Sequence, residues 1–221
     1  MLFVFFSHIV VQEFAASALE KRDGVKTAGG RKKQKLGNQE VSKVDSDLLK
    51  SLRSLLLCLE VSLRFDAHDG GDWVRDGENQ RFSLILEPLG KLLQCTIPTD
   101  SITLSYQSIV QGIDTDAGNV IGCLVALGLA AGDEQLWKPL NHVVLQACSN
   151  ESRSEVRKAG AMCLLSLIRS IGEEYMVLVP ECLPVLSELL EDNDEEIAGL
   201  AQDCISLSEE LLGESLQDNL R

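Results

Sequence analysis

Residues 133–172, DEQLWKPLNHVVLQACSNESRSEVRKAGAMCLLSLIRSIG, and residues 174–213, EYMVLVPECLPVLSELLEDNDEEIAGLAQDCISLSEELLG, match each other at an offset of forty-one. Pro139 maps onto Pro180, Val156 onto Ile197, Ala159 onto Leu200, Cys163 onto Cys204 and Gly172 onto Gly213, and the residue after the last pair agrees as well, Glu173 with Glu214. A period near 40 is that of stacked two-helix units.

Within each copy the apolar spacing is helical. Leu136, Leu140, Val143, Val144 and Ala147 fall at i, i+4, i+7, i+8 and i+11, one face of a 3.6-residue period. Asp133 or a neighbour is placed to cap that helix, and Pro139 is expected to bend it, because proline removes a backbone donor and crowds the carbonyl four residues back. A second helix is expected from a capping box of Ser152 with Glu155, carrying Val156, Ala159, Cys163, Leu164, Leu167, Ile168 and Ile171 on one stripe until Gly172 stops it. The next copy repeats the plan. Tyr175 to Leu190 forms a helix with Pro180 and Pro184, an acidic turn follows, and Asn193 with Glu196 caps a helix carrying Ile197, Leu200, Ala201, Cys204, Ile205, Leu211 and Leu212.

Upstream the pattern is looser but still helical. Leu48 to Leu63 is strongly apolar, Arg81 to Leu93 is amphipathic around Pro88, and Asp116 to Ala131 is rich in small residues. Ile97 to Val110 reads as a loop followed by a short helix, and Leu2 to Leu19 as another helix. These segments divide the chain into an N-terminal helix of an upstream repeat (1–20), a disordered basic linker (21–44), degenerate helical repeats (45–132), a two-helix unit (133–172) and an acidic two-helix unit (173–221).

Composition agrees with packed helices. The 221 residues are 45% hydrophobic, enough for a sizeable core, yet only six Phe, two Tyr and two Trp are present, so Leu, Ile, Val and Ala fill it. Seven cysteines without a C-x-x-C pair fit neither a disulfide framework nor a zinc module. No lysine or arginine precedes the apolar run Leu2 to Val11, and His8 interrupts it, unlike a secretory signal. Val120 to Gly132 falls short of the roughly 20 residues that span a bilayer. No membrane association is expected.

Charge is unevenly placed. The formal net charge is −14, and Gly172 to Leu220 alone holds fourteen acidic residues with no lysine or arginine. Lys21 to Lys43 carries eight basic residues against Asp23 and Glu40, and its polar composition cannot offset the entropy of ordering it. Its Arg31-Lys32-Lys33-Gln34-Lys35 cluster is either plain flexible chain or a nuclear import or nucleic-acid contact.

Candidate chemistry is sparse. Asp66-Ala67-His68-Asp69-Gly70-Gly71-Asp72 invites a calcium loop, but with Asp66 first, Gly70 and Gly77 stand where an oxygen ligand and a glutamate are needed. A polar connection between helices explains it better. His8, His68 and His142 lie apart without a local signature, and Cys123, Cys163 and Cys204 hold equivalent helix positions, as small core residues do. No Walker A, G-x-S-x-G or G-x-G-x-x-G pattern occurs. The sequence offers no catalytic, cofactor-binding or metal-ligating set, and no small-molecule substrate is expected.

The residues also carry a family resemblance. Trp137-Lys138-Pro139-Leu140-Asn141, Val156-Arg157, Gly172-Glu173-Glu174-Tyr175, Leu178-Val179-Pro180-Glu181, Leu189-Leu190-Glu191-Asp192 and Leu212-Gly213-Glu214-Ser215-Leu216 resemble the extreme C-terminus of the HEAT repeat-containing protein 1 / U3 small nucleolar RNA-associated protein 10 family. The likeness is strongest over Asp116 to Leu220 and looser over Leu48 to Gln94. It implies an all-α, HEAT-type solenoid of antiparallel helix pairs. It also implies a non-enzymatic scaffold of the small-subunit processome, acting in nucleolar processing of pre-18S ribosomal RNA. The implied partners are other processome proteins on the solenoid surface, with U3 small nucleolar RNA and pre-ribosomal RNA reached indirectly. Because members of the family are far longer, and a basic linker interrupts the helices here, the resemblance implies a C-terminal fragment or a truncated product. Fourteen uncompensated carboxylates would repel phosphates, which favours protein as the direct partner of the last repeats and leaves the basic linker as the RNA candidate. The competing reading is a generic HEAT-repeat adaptor without a ribosomal role.

Overall fold

A computed structural model describes residues 37–76, 80–94 and 120–216, with side chains from residue 51 onward. Among the described residues there is no strand. The helices are α1 (Gly37–His68), the one-turn α2 (Asp72–Arg75), α3 (Gln80–Leu93), α4 (Val120–Ala131), α5 (Glu134–Cys148), α6 (Ser154–Ile171), a 3-10 segment (Gly172–Leu178), α7 (Val179–Leu190) and α8 (Glu195–Leu212).

They stack in two layers. One layer runs α1, α4, α6, α8, each packed on the next, and the other runs α3, α5, α7. Within a unit the second-layer helix comes first in the chain and its first-layer partner follows, as in α3 with α4, α5 with α6 and α7 with α8. The fold is an all-α, HEAT-type solenoid of antiparallel helix pairs.

Composition decides which helix goes where. In α4, VIGCLVALGLAA, every residue but Leu129 is buried, as a helix that is apolar all round must be. It meets α1, α2, α3, α5 and α6. The helices α5 and α8 bury one stripe each, whereas α6 is buried all round from Ala159 to Ile168, between α4, α5 and α8. Val156, Leu164, Leu167, Ile197 and Ile205 all lie in the core, as their period requires.

Small residues set the closest crossings. A Cβ on Gly160 would stand 2.6 Å from the backbone nitrogen of Cys148, so α6 can approach α5 this closely only without a side chain there. At Gly71, where φ is +76°, a Cβ would overlap the carbonyl oxygen of Ala130 at 2.0 Å.

Several local expectations are corrected. Helix α1 begins at Gly37, inside the stretch read as linker, and residues 21–36 of that stretch lie outside the described residues. The reason is visible in sequence, since Val41, Val44, Leu48 and Leu49 carry the helical period back from Leu52 toward the basic cluster at Arg31 to Lys35. The Ser152–Glu155 capping box does not form. Asn150 Oδ1 instead accepts from the backbone N–H groups of Ser152 (3.3 Å) and Arg153 (3.0 Å) and from Ser152 Oγ (3.2 Å), and Arg153 is the N-cap of α6. Asp194, not Asn193, caps α8, accepting from the N–H of Glu196 at 3.0 Å. The helix expected from Tyr175 opens as 3-10 turns, and the α-helix starts at Val179 with Pro180 in its first turn, where the missing donor costs nothing. Leu212 is exposed rather than part of the α8 stripe. Asp133 does cap α5, accepting from Gln135 N–H at 2.7 Å, and α5 runs without a break through Pro139. Gly172 and Gly213 stop α6 and α8 with φ of +76° and +71°. The helices read at Leu2 to Leu19 and within Ile97 to Val110 lie outside the described residues.

Candidate interaction surface

The residues singled out in sequence fall into two groups. One group builds the contacts between units, and the other faces solvent.

Trp137 on α5 donates its indole N–H to the carbonyl of Gly128 on α4 at 2.8 Å. It also meets the ring of Tyr175 edge-on, with centroids 6.3 Å apart, a favourable aromatic geometry. Asn141, one turn further along α5, is fully buried. Its Oδ1 accepts from Tyr175 OH at 3.0 Å and from the Cys182 thiol at 3.4 Å, tying α5 to both parts of the following second-layer element. Nothing among the described residues accepts from its Nδ2, so the amide is held through its oxygen alone.

Arg157 on α6 forks onto the Asp192 carboxylate, Nε to Oδ2 at 2.6 Å and Nη2 to Oδ1 at 3.0 Å. Its Nη1 reaches the carbonyl of Asn150 at 3.0 Å. One guanidinium thus joins the turn within its own unit to the turn of the next. Hydrogen bonding to Arg157 holds the Asp192 carboxyl below the usual carboxylate range, and the same bond raises the guanidinium. Lys158 pairs with Glu196 alongside. At the end of the stack, Glu209 Oε1 accepts from Ser215 Oγ at 3.1 Å and from Leu216 N–H at 2.8 Å, which folds the buried Leu216 back against α8.

Five of the six described thiols are core residues. Cys123, Cys148, Cys163, Cys182 and Cys204 are buried, and burial raises each of them, Cys182 to about 12. A thiol so raised is hardly ever the thiolate that nucleophilic chemistry or metal ligation needs. Cys123 spends its proton on the carbonyl of Leu56 at 3.2 Å, across the α1–α4 contact. Cys58 is exposed.

The Asp66 to Asp72 stretch is a structural turn. Both Asp66 oxygens accept backbone N–H groups, from Trp73 and Val74 at 3.0 Å each, and its own carbonyl accepts from Gly71 at 2.7 Å. The carboxylate that a cation would need is thereby used to start α2. Among the described residues no group of three or more His, Cys, Asp or Glu side chains is arranged to hold a metal ion. His68 ends α1 in solvent, His142 is exposed beside Gln146, with 3.1 Å between Nε2 atoms, and His8 lies outside the described residues. Among the described residues no histidine is hydrogen-bonded to a thiol.

What faces solvent at the end of the stack is acidic. Ile197, Leu200, Cys204 and Ile205 turn inward on α8, while Glu191, Glu195, Glu196 and Glu210 are exposed. No described helix is long and apolar enough to cross a membrane.

The sequence did not single out Asn141, Tyr175 or the Arg157–Asp192 pair as contacts. The signal was nonetheless present, because all four lie in the motifs that carry the family resemblance. Those motifs mark where one unit grips the next.

No family model matches the chain, and no solved structure matches it. It is 35% identical over 196 residues to an uncharacterized protein of Arabidopsis thaliana, covering 86% of this chain and 8% of that one. It is 39% identical over 99 residues to human HEAT repeat-containing protein 1, covering 45% of this chain and 5% of the human protein. To U3 small nucleolar RNA-associated protein 10 of Coccidioides immitis it is 35% identical over 143 residues, covering 62% of this chain and 7% of the other. The chain thus spans less than a tenth of the length of each. It is a homologue of the proteins named HEAT repeat-containing protein 1 and U3 small nucleolar RNA-associated protein 10, similar to them over part of its own length and a small part of theirs.

Proposed function

We propose that this chain serves ribosome biogenesis as a non-enzymatic, protein-binding part of a small-subunit processome scaffold, in the nucleolus, during processing of the precursor of 18S ribosomal RNA. The observation that carries the reading is similarity to a relative whose name places it with U3 small nucleolar RNA. The geometry supports the scaffold half. Stacked helix pairs present a continuous outer surface, and Cys123, Asp66 and Asp192 are engaged in packing, capping and an ion pair. An acidic terminal unit suits contact with proteins rather than phosphates.

The test is depletion of the protein that carries this segment, read by northern blot. A fall in 18S ribosomal RNA with accumulation of its early precursors is the expected outcome. Normal precursor ratios after verified depletion, together with a tagged protein that stays out of the nucleus, would replace the ribosomal reading with that of a generic helical-repeat adaptor.

A further inference from the structure

The segment after α8 is pinned back onto the stack by one carboxylate. Helix α8 stops at Gly213. Beyond it Glu209 Oε1 accepts both from Leu216 N–H at 2.8 Å and from Ser215 Oγ at 3.1 Å. Leu216 is 4% exposed and belongs to the apolar core, whereas Ser215 beside it is exposed. The acid that seats a buried leucine thus also receives the hydroxyl of a solvent-facing serine.

The surroundings of Ser215 are those of a serine that a kinase reads by charge. Glu214 precedes it, Glu209 and Glu210 lie near the end of α8, and Asp218 follows at the third position in sequence. No lysine or arginine occurs between Gly172 and Leu220. Ser42, Ser152, Ser170 and Ser206 have an acid at the same spacing. Ser42, Ser170 and Ser206, however, lie within α1, α6 and α8, and a kinase cleft takes an extended segment, which a helix offers only after unwinding. Ser152 stands beside Arg153. Ser215 alone of these five is exposed, outside a helix and without a neighbouring cation in sequence.

We propose that Ser215 is a phosphorylation site for an acid-directed serine kinase, and that the phosphate releases the Leu216 clasp from α8. The γ-phosphoryl group of ATP passes to Ser215 Oγ. The new O–P bond replaces the bond to the β-phosphate oxygen, ADP leaves, and the hydroxyl proton goes to solvent. The product has lost its donor and carries about −1.5 to −2 charges at pH 7. It stands against the Glu209 carboxylate and just past the C-terminus of α8, whose carbonyls are already partly negative. Both placements repel a phosphate. Glu209 cannot keep Leu216 N–H without keeping Ser215 beside it, so relief of the repulsion lifts the leucine.

The full chain is incubated with ATP and a purified acid-directed serine kinase, whose activity is verified on a synthetic peptide with glutamates after its serine. Peptide mass spectrometry is expected to find phosphate at Ser215, and Asp218→Asn to slow its uptake about tenfold. Hydrogen exchange then reads the clasp. The Leu216 amide is expected to exchange about tenfold faster in the phosphorylated chain than in the native one. Ser215→Asp should reproduce part of that rise and Ser215→Asn should not, which separates added charge from loss of the hydroxyl. An unmodified Ser215, equal protection of Leu216 with and without phosphate, or equal exchange in the Asp and Asn variants would overturn the proposal. So would slower exchange on phosphorylation, which would assign the phosphate to pairing with a cation of the preceding unit such as Arg169.

Discussion

Arg157 and Asp192 are thirty-five residues apart in sequence and form a two-pronged ion pair across the joint between successive units. The carboxylate is 7% exposed and the guanidinium 19%. Forked pairing fixes orientation as well as distance, so the two turns are locked in register. Arg157→Ala leaves a nearly buried carboxylate with its backbone donor at Asp194 but without its cation. A loss of about 2 to 4 kcal/mol is expected in urea unfolding. Arg157→Lys should lose roughly half as much, because an ammonium restores the charge but not the fork. Equal stabilities of all three chains would show that the joint is held by apolar packing alone.

The same pair makes stability depend on pH in a definite direction. Arg157 holds the Asp192 carboxyl below its ordinary value of 3.8. A carboxyl depressed in the folded state contributes stability that is complete above the unfolded value and is lost as pH falls through the folded one. Arg157 stays charged throughout that window. Unfolding free energy should therefore fall with acidification below about pH 4. Asp192→Asn should be less stable at neutral pH and have a shallower acid limb. Parallel limbs for the two proteins between pH 2 and 5 would contradict the linkage.

Gly160 tests the closeness of the helix crossing. An added methyl would meet the backbone of Cys148 and Ala147, at 2.6 Å and 3.0 Å, and not the movable end of a side chain. In an open helix alanine outranks glycine by about 1 kcal/mol. Here the clash is expected to reverse that preference, so that Gly160→Ala unfolds at a lower temperature and loses about 1 to 3 kcal/mol. A higher melting temperature would mean that α5 and α6 can move apart at no cost.

How much of this was legible in sequence follows from which forces are local. Val156, Ala159, Cys163, Leu164, Leu167 and Ile168 of α6 and Ile197, Leu200, Ala201, Cys204 and Ile205 of α8 are buried as their period predicts, because side-chain burial on a helix has a fixed spacing, while the ends of both stripes, Ile171, Leu211 and Leu212, are not fully covered. Asp133 caps α5 as its sequence position predicts, but the caps of α6 and α8 form one residue beyond the expected Ser152 and Asn193. Ser152, Asn150, Asn193 and Asp194 are all competent cap or turn residues, and the choice among them depends on where the partner helix holds the turn. Asn141 was invisible as a core residue, since a polar side chain on an apolar stripe gains its partner only when Tyr175 of the next unit arrives. The absence of a metal loop at Asp66 was argued from missing ligands, whereas what the structure adds is the occupation of both carboxylate oxygens by backbone donors.

The acidic turn of the last unit provides the final prediction, and the structure divides it. The acidic residues of this turn can serve either as a solubilising end cap or as a docking site for a basic protein, and neutralising Glu191, Asp192, Asp194, Glu195 and Glu196 together is the direct way to separate the two. Three of the five are structural, however. Asp192 holds Arg157, Asp194 caps α8, and Glu196 pairs with Lys158. Losing an N-cap alone costs about 1 kcal/mol, so the fivefold variant would confuse unfolding with loss of binding. Glu191 and Glu195 are exposed, as is Glu210 on the solvent side of α8. Replacing these three with Gln should change stability by less than about 0.5 kcal/mol. If the acidic face docks a basic protein, the same variant loses co-purifying partners, and the native complex weakens as salt rises. If the face is an end cap, the partners remain and the variant precipitates at lower concentration. Pull-down of the native and triple-Gln chains at two ionic strengths, with solubility measured in parallel, separates the two. Direct capture of RNA by the native acidic unit at physiological salt would refute both.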